Sequence, residues 1–197
     1  SGWYVVYLVS IKSRLYSKTR HLLREEVILR NRGLLEHDAI AIAKCLRINH
    51  TVQYLDLTNN SIGSKGCLEI ARACKDGNKV HYLNLNNTKL GYTNKNDANM
   101  FAEVLLCNNL CLTTLSLQNN NLNDTFIKHL HRAMKKNNNI KFLDLSRNTF
   151  SSSVALNQLG NIVCEGNLSQ LRLAWNNLRM GARPFLSTIC DNIDLVN

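Results

Sequence analysis

One eleven-residue pattern recurs six times along this 197-residue chain, and it constrains the fold more than any other feature. The pattern is apolar-x-x-Leu-x-Leu-x-x-Asn-x-apolar, and residues 53–62, QYLDLTNNSI, belong to one copy. We number its positions 1 to 11. Position 4 is occupied by Val27, Leu55, Leu83, Leu115, Leu143 and Leu171, so the copies are 28, 28, 32, 28 and 28 residues apart. A regular period of this length indicates stacked repeats, each of which contacts only its neighbours.

Each repeat is predicted to contain one short strand and one helix. The side chains at positions 4 and 6 point to one side of a strand, and those at positions 3 and 5 point to the other. Apolar residues between the copies follow helical spacing, as Cys67, Ile70, Ala71 and Cys74 do in the second repeat. Strands and helices that alternate with short connections form a parallel sheet with helices on one side. We therefore predict an α/β solenoid with parallel strands on its concave face and helices on its convex face.

The asparagine at position 9 lies where the chain turns away from the strand. A buried asparagine amide can both donate and accept hydrogen bonds, so we expect it to bridge neighbouring repeats. Thr88 and Arg32 replace this asparagine in the third and first repeats, and we expect looser turns there. The third repeat is four residues longer than the others. Its polar segment GYTNKNDAN, residues 91–99, is predicted to form a longer loop.

The repeated pattern and the segment GCLEIARAC, residues 66–74, resemble the leucine-rich repeat family. The 28-residue period resembles its ribonuclease-inhibitor-like branch, and the resemblance covers residues 27–195. It implies a horseshoe-shaped protein that acts by binding, as the sensors, cytoskeletal caps and inhibitors of that branch do. No catalytic constellation, metal site or cofactor motif is recognisable in the sequence, so we do not expect an enzyme.

The two ends of the repeat array are interpreted separately. Residues 1–26 are predicted to form an N-terminal capping helix with a basic segment, and residues 27–197 the repeats. Val196 lies 28 residues after Leu168, where a seventh copy would begin. We therefore expect either that the chain is truncated there or that the open end contacts another subunit.

The formal net charge is +10, and residues 12–32 contribute half of it, because they hold seven Lys or Arg and two Glu. This segment is either a solvated helix face or a docking site for an acidic partner, nucleic acid or an anionic membrane. The seven cysteines include no Cys-x-x-Cys pair. That pattern disfavours a disulfide framework and a zinc ribbon, and it favours reduced thiols in the cytoplasm.

Candidate binding residues are taken from positions 3, 5, 7 and 8, which we expect to face solvent on the concave face. Aromatic side chains there would anchor a protein partner, and charged ones would orient it. The alternative is that the aromatic rings pack sideways against one another between repeats. The predicted partner-binding residues are Tyr54, Asp56, Tyr82, Asn84, Asn86, Phe142, Asp144, Arg147, Arg172 and Trp175.

The sequence therefore predicts a non-enzymatic cytoplasmic scaffold that binds a protein partner, with no small-molecule substrate. One alternative is a regulator of a small GTPase, because the Ran GTPase-activating proteins resemble this branch. Those proteins typically carry an acidic tail, whereas this chain ends in DNIDLVN, residues 191–197. A second alternative is that the basic segment binds nucleic acid or membrane.

Overall fold

Strands and helices alternate along the chain, as the repeat pattern predicts. The computed structural model describes residues 25–75, 79–106, 109–137, 139–178 and 185. The strands in these residues occupy positions 3 to 5 of the repeats: β1 Glu26–Ile28, β2 Tyr54–Asp56, β3 Tyr82–Asn84, β4 Thr114–Ser116, β5 Phe142–Asp144 and β6 Gln170–Arg172. The helices between them are α1 Glu36–Ile48, α2 Gly63–Lys75, α3 Lys95–Leu106, α4 Asp124–Met134 and α5 Ser153–Glu165.

The strands form one parallel sheet in the order β1-β2-β3-β4-β5-β6. Every pairing joins the same position of adjacent repeats, so that Leu55 at position 4 pairs with Val27 on one side and Leu83 on the other. The longer third repeat keeps this register, since Leu83 pairs with Leu115. The predicted α/β repeat solenoid is confirmed.

The core lies between the sheet and the helices. Leu55, Leu57 and Ile62, at positions 4, 6 and 11 of the second repeat, have no exposed surface, and Phe101 and Phe126 from α3 and α4 are buried with them. Removing this apolar surface from water is the main force that holds the repeats together. The helices therefore cover one face of the sheet. Positions 3, 5, 7 and 8 form the other face, which we call the strand face.

The position-9 asparagines bridge neighbouring repeats, and this prediction is confirmed. Asn148 Oδ1 accepts the N–H groups of Asn120 at 3.1 Å and Leu122 at 3.0 Å in the preceding repeat. Its Nδ2 donates to Leu117 O at 3.1 Å and to Leu145 O at 2.9 Å. One amide thus satisfies buried backbone groups of two repeats, which would otherwise cost free energy.

The two substituted position-9 residues differ from each other. Thr88 is fully buried, and its Oγ1 donates to Leu85 O of its own repeat at 2.8 Å. Arg32 is exposed, and its backbone N–H donates to Asn60 Oδ1 at 3.1 Å. The expectation that these turns are looser stays a prediction.

The insertion in the third repeat forms a shorter loop than predicted. Helix α3 begins at Lys95, because Asn94 Oδ1 accepts the N–H of Asn96 at 2.9 Å and so caps the first turn. The prediction of a loop over 91–99 is therefore wrong for residues 95–99. At the loop's start, a Cβ on Gly91 would lie 2.5 Å from Asn121 O, so the chain passes too close to the next repeat for any other residue.

The predictions for residues 1–24, including the capping helix and most of the basic segment, lie outside the described residues, as do those for residues 179–184 and 186–197. Strand β1 begins at Glu26, one residue before the predicted start of the repeats. No helix among the described residues has the length and apolar content needed to cross a membrane.

The cysteines differ in burial. Cys67 and Cys74 are buried, and burial raises the pKa of each thiol to about 12. Their place late in each helix predicts that Cys45, Cys74 and Cys164 are small apolar filler between helix and sheet. Cys74 is buried as predicted, whereas Cys45 and Cys164 are partly exposed. Cys107 and Cys190, predicted to be the same kind of filler, lie outside the described residues.

This difference predicts selective alkylation. Iodoacetamide at pH 8 is expected to modify Cys111 in the folded protein and to spare Cys67 and Cys74, because the thiolate is the nucleophile and both buried thiols stay protonated. All three should react after unfolding in guanidinium chloride. Mass spectrometry of the tryptic peptides measures each site. Equal labelling of Cys67 and Cys111 in the folded protein would contradict the prediction.

Candidate protein-interaction site

Aromatic residues occupy position 3 of the second and third repeats on the strand face. The rings of Tyr54 and Tyr82 stack with their centroids 4.0 Å apart and an angle of 9° between their planes. Both side chains are half-buried, so they pack sideways and still present an edge to solvent. Burial, and then a hydrogen bond with Tyr82, raises the pKa of Tyr54 to about 12. The alternative of sideways packing therefore applies to this pair.

The residues at position 5 do not face water as expected. Asp56 is 0% exposed, Asn84 7% and Asp144 6%. Adjacent strands lie about 4.8 Å apart, so that short side chains at position 5 are enclosed by the larger ones around them. The expectation of solvent exposure is wrong for these three residues.

The Asp56 carboxylate is held by three residues of the chain itself. Arg30 Nε donates to its Oδ2 at 2.6 Å, and Arg30 Nη2 donates to the hydroxyl of Tyr54 at 3.3 Å. The backbone N–H of Thr58 donates to Oδ1 at 2.9 Å, and Asn84 Nδ2 donates to Oδ2 at 3.2 Å. The hydrogen bond with Asp56 raises the pKa of Arg30. Arg30, counted with the basic segment, thus neutralises a carboxylate of the strand face.

A groove of about 350 Å³ opens in the middle of the strand face. Six predicted site residues line it, together with Thr114, Ser116 and Gln118, which were not predicted as site residues. Thr114 stands at position 3 between Tyr82 and Phe142, and the groove opens where this small residue interrupts the aromatic row. A small residue at position 3 of one repeat, between repeats that carry aromatic residues at position 3, is the sequence signal that could have located the groove. The lining residues are Tyr82, Asn84, Asn86, Thr114, Ser116, Gln118, Phe142, Asp144 and Arg172.

Phe142 and Asp144 occupy one side of this groove. The guanidinium of Arg172 lies 5.1 Å from the centroid of the Phe142 ring, in a cation–π contact. Asp144 Oδ1 accepts the backbone N–H of Ser146 at 2.9 Å. No described basic side chain forms an ion pair with Asp144, in contrast to Asp56.

Position 8 forms a row along the edge of the strand face in which every residue has a left-handed backbone. The N–H at this position donates to the position-7 carbonyl of the next repeat, as in Asn119 to Ser146 O at 3.0 Å, and this bond fixes the conformation. Asparagine tolerates positive φ, and the four asparagines form a side-chain ladder. Position 8 is held by Asn31, Asn59, Asn87, Asn119, Arg147 and Trp175, with φ of 54°, 55°, 52°, 56°, 56° and 61°.

Arg147 and Trp175 end this row and depart from it. The Trp175 side chain is 78% exposed, and the Arg147 guanidinium lies 5.7 Å from its ring centroid. Both residues adopt a backbone conformation that is costly for side chains other than asparagine or glycine. They place a large apolar ring and a fixed charge at the edge of the strand face, in the repeats that supply Phe142 and Arg172 to the groove.

The described residues contain no group of three or more His, Cys, Asp or Glu that could hold a metal ion. On the helix side, Glu103 Oε1 accepts hydrogen bonds from His129 Nδ1 at 2.8 Å and from Arg132 Nη1 at 3.2 Å, and the bond from His129 lowers the pKa of Glu103. These are surface ion pairs.

The comparison with protein families agrees with the repeat architecture. The family model described as Leucine Rich Repeat matches residues 111–132, which include β4 and most of α4. Among solved structures, the chain is similar to "Leiomodin-1 Actin-Binding Site 2 (ABS2)", with a TM-score of 0.42 and 16% sequence identity over 86% of this chain and 81% of that one. The search of curated proteins gave no matching relative. The family match and the six repeats in register support a leucine-rich repeat protein.

Proposed function

We propose that the chain is a non-enzymatic, cytoplasmic scaffold of the ribonuclease-inhibitor-like branch that binds a protein partner on its strand face. The groove, Arg147 and Trp175 form the contact surface in this proposal. Six of the predicted binding residues line the groove. Two more, Arg147 and Trp175, stand at position 8 of the repeats that supply Phe142, Asp144 and Arg172, and we call this pair the rim. The buried, protonated thiols of Cys67 and Cys74 suit a reducing compartment.

Exposure of Trp175 is the observation that carries this proposal. A tryptophan that is 78% exposed gains nothing from the core, and its φ of 61° costs free energy that asparagine would avoid. Strained residues persist where function requires them, and tryptophan and arginine are the residues most often found at the energetic centre of protein interfaces. The combination favours recognition of a protein surface.

The test compares partners captured by the wild-type chain and by surface variants. Tyr82→Ala and Trp175→Ala remove ring surface from the strand face, and Met100→Ala removes an exposed apolar side chain from α3 on the opposite side. We expect quantitative mass spectrometry to find a protein that is lost with the first two variants and kept with the third. Thermal melts confirm that each variant is folded.

The captured protein is then purified, and its dissociation constant is measured by calorimetry. Trp175→Ala is expected to weaken binding by about 30-fold, the effect of losing a 2 kcal/mol contact. Unchanged affinity in both strand-face variants would exclude this face as the contact surface.

A further inference from the structure

The groove contains a buried carboxylate that lacks a counter-ion in the described part of the chain. Asp144 is 6% exposed and lines the groove. Its Oδ1 accepts the N–H of Ser146, and among the described residues this is the one hydrogen bond of the carboxylate. A buried carboxylate without a cation is unfavourable, so a cationic ligand that reached it would be bound strongly.

The same environment exists at Asp56, where a cation is already in place. Asp56 and Asp144 both occupy position 5, and each accepts the position-7 N–H of its own repeat at 2.9 Å. Asp56 is paired with the guanidinium of Arg30, which stands at position 7 of the preceding repeat. Gln118 stands at the matching position before Asp144. The chain therefore pairs Asp56 with an arginine of the preceding repeat and places a glutamine at the corresponding position before Asp144. Arg172 stands in register with Asp144 on β6 but forms no ion pair with it among the described residues.

The groove also has the shape to receive a flat group. Thr114 is in register with Tyr82 on one side and Phe142 on the other, so the two aromatic residues are carried about 9.6 Å apart, twice the usual strand spacing. A planar group placed between two rings needs about 3.5–4 Å to each, or about 7–8 Å in all, and the strand separation is wide enough to accommodate it. Tyr54 already stacks on Tyr82 from the other direction.

We propose that this groove binds one arginine side chain of the protein partner, with its guanidinium between Tyr82 and Phe142 and paired with Asp144. The inference rests on the proposed function. Arginine is favoured over lysine because a guanidinium stacks on aromatic rings and donates two parallel hydrogen bonds to a carboxylate. Arg172 comes from β6, on the far side of β5 from β4; its guanidinium contacts the Phe142 ring and also lines the groove.

The net charge of +10 opposes the approach of any cation, so selectivity has to come from contacts inside the groove. The probe is accordingly a small one, N-acetyl-arginine-N-methylamide, titrated into the isotope-labelled full chain and followed by amide NMR. We expect saturable shifts at Thr114, Ser116 and Ser146 with millimolar affinity. The corresponding lysine amide should bind at least fivefold more weakly.

Two variants test the site and one serves as a control. Asp144→Asn removes the charge and keeps the shape, so the arginine probe should bind at least tenfold more weakly. Gln118→Arg supplies the cation from within the chain, as Arg30 does at Asp56, and should abolish probe binding. Asp97→Asn makes the same chemical change on α3 and should leave the affinity unchanged. Dispersed amide spectra show that each variant is folded.

The proposal is overturned if Asp144→Asn and Gln118→Arg both retain the wild-type affinity, or if the lysine probe binds as well as the arginine probe. Tighter binding of N-acetyl-tyrosine-N-methylamide at the same amides would also overturn it, in favour of an aromatic ligand. Binding of the captured partner to the variants distinguishes this proposal from the proposed function. A partner that is lost with Trp175→Ala and kept with Gln118→Arg leaves the strand-face function standing and removes the arginine site.

Discussion

Replacing Asn120 by alanine is expected to lower the free energy of unfolding by about 3 kcal/mol, because two buried N–H groups lose their acceptor at about 1–3 kcal/mol each. Asn120 Oδ1 accepts the N–H of Thr88 at 3.0 Å and of Leu90 at 3.2 Å. Its Nδ2 donates to Leu85 O at 2.7 Å. The amide is fully buried, so water replaces these bonds poorly.

The effect should be larger than the count of lost bonds suggests, because of the neighbouring repeat. Thr88 stands where the second and third repeats would share a bridging asparagine, and its hydroxyl contacts Leu85 O, Cys67 Sγ and Asn120 Oδ1 but supplies no amide. Without Asn120, two consecutive boundaries would lack a bridging amide. The stability of a repeat array depends on coupling between neighbours. We therefore expect a broader unfolding transition as well as a lower midpoint.

Urea denaturation followed by circular dichroism measures both quantities. Asn119→Gly is the matched control, because it removes an exposed amide at the adjacent position while glycine accepts the φ of 56°. It should change stability by less than about 1 kcal/mol, since exposed hydrogen bonds exchange readily with water. Similar losses in the two variants would show that the buried amide network contributes little.

The sequence predicts the architecture because one periodic signal determines strands, core and register together. Leu55 and Leu57 must face the same side of a strand, and the 28-residue spacing brings Leu83 beside Leu55. The bridging role of the position-9 asparagine also follows from chemistry alone, since a turn leaves backbone groups that an amide can satisfy. Nothing in these steps depends on side chains far apart in the sequence.

The strand face is less predictable because burial there depends on neighbours from other repeats. Asp56 is paired with Arg30, which lies 26 residues earlier, two residues past the end of the adjacent strand β1. The groove results from the size of Thr114 relative to the rings on both sides of it. The alternation of side chains along one strand predicts which face of the sheet each side chain is on. It does not predict which other residues cover a side chain on the strand face. Cross-strand neighbours determine that.

Asparagine at position 8 of the last two described repeats should make the protein more stable and weaken its binding. Arg147→Asn and Trp175→Asn each relieve a left-handed backbone that costs about 1 kcal/mol for an ordinary side chain. An amide at position 147 would also extend the ladder, because Asn87, Asn119 and the new side chain would stand at the same position of successive repeats. Each variant should raise the melting temperature by about 2–4 °C.

Binding is expected to change in the opposite direction. Trp175→Asn removes the exposed ring, and affinity for the captured partner should fall by at least about tenfold, as expected for loss of an interface anchor. Asn87→Trp is the reciprocal control. It places a tryptophan in the same backbone conformation within the ladder, so it should destabilise the fold by about 1 kcal/mol without improving binding.

Calorimetric melts and binding isotherms on the same samples separate three cases. Higher stability with weaker binding means that Arg147 and Trp175 are retained for recognition at the expense of the fold. Lower stability in both variants would mean that the cation–π pair, with 5.7 Å between guanidinium and ring centroid, holds the edge of the array together. Higher stability with unchanged affinity would remove the rim from the contact surface, and the groove alone would then have to account for recognition.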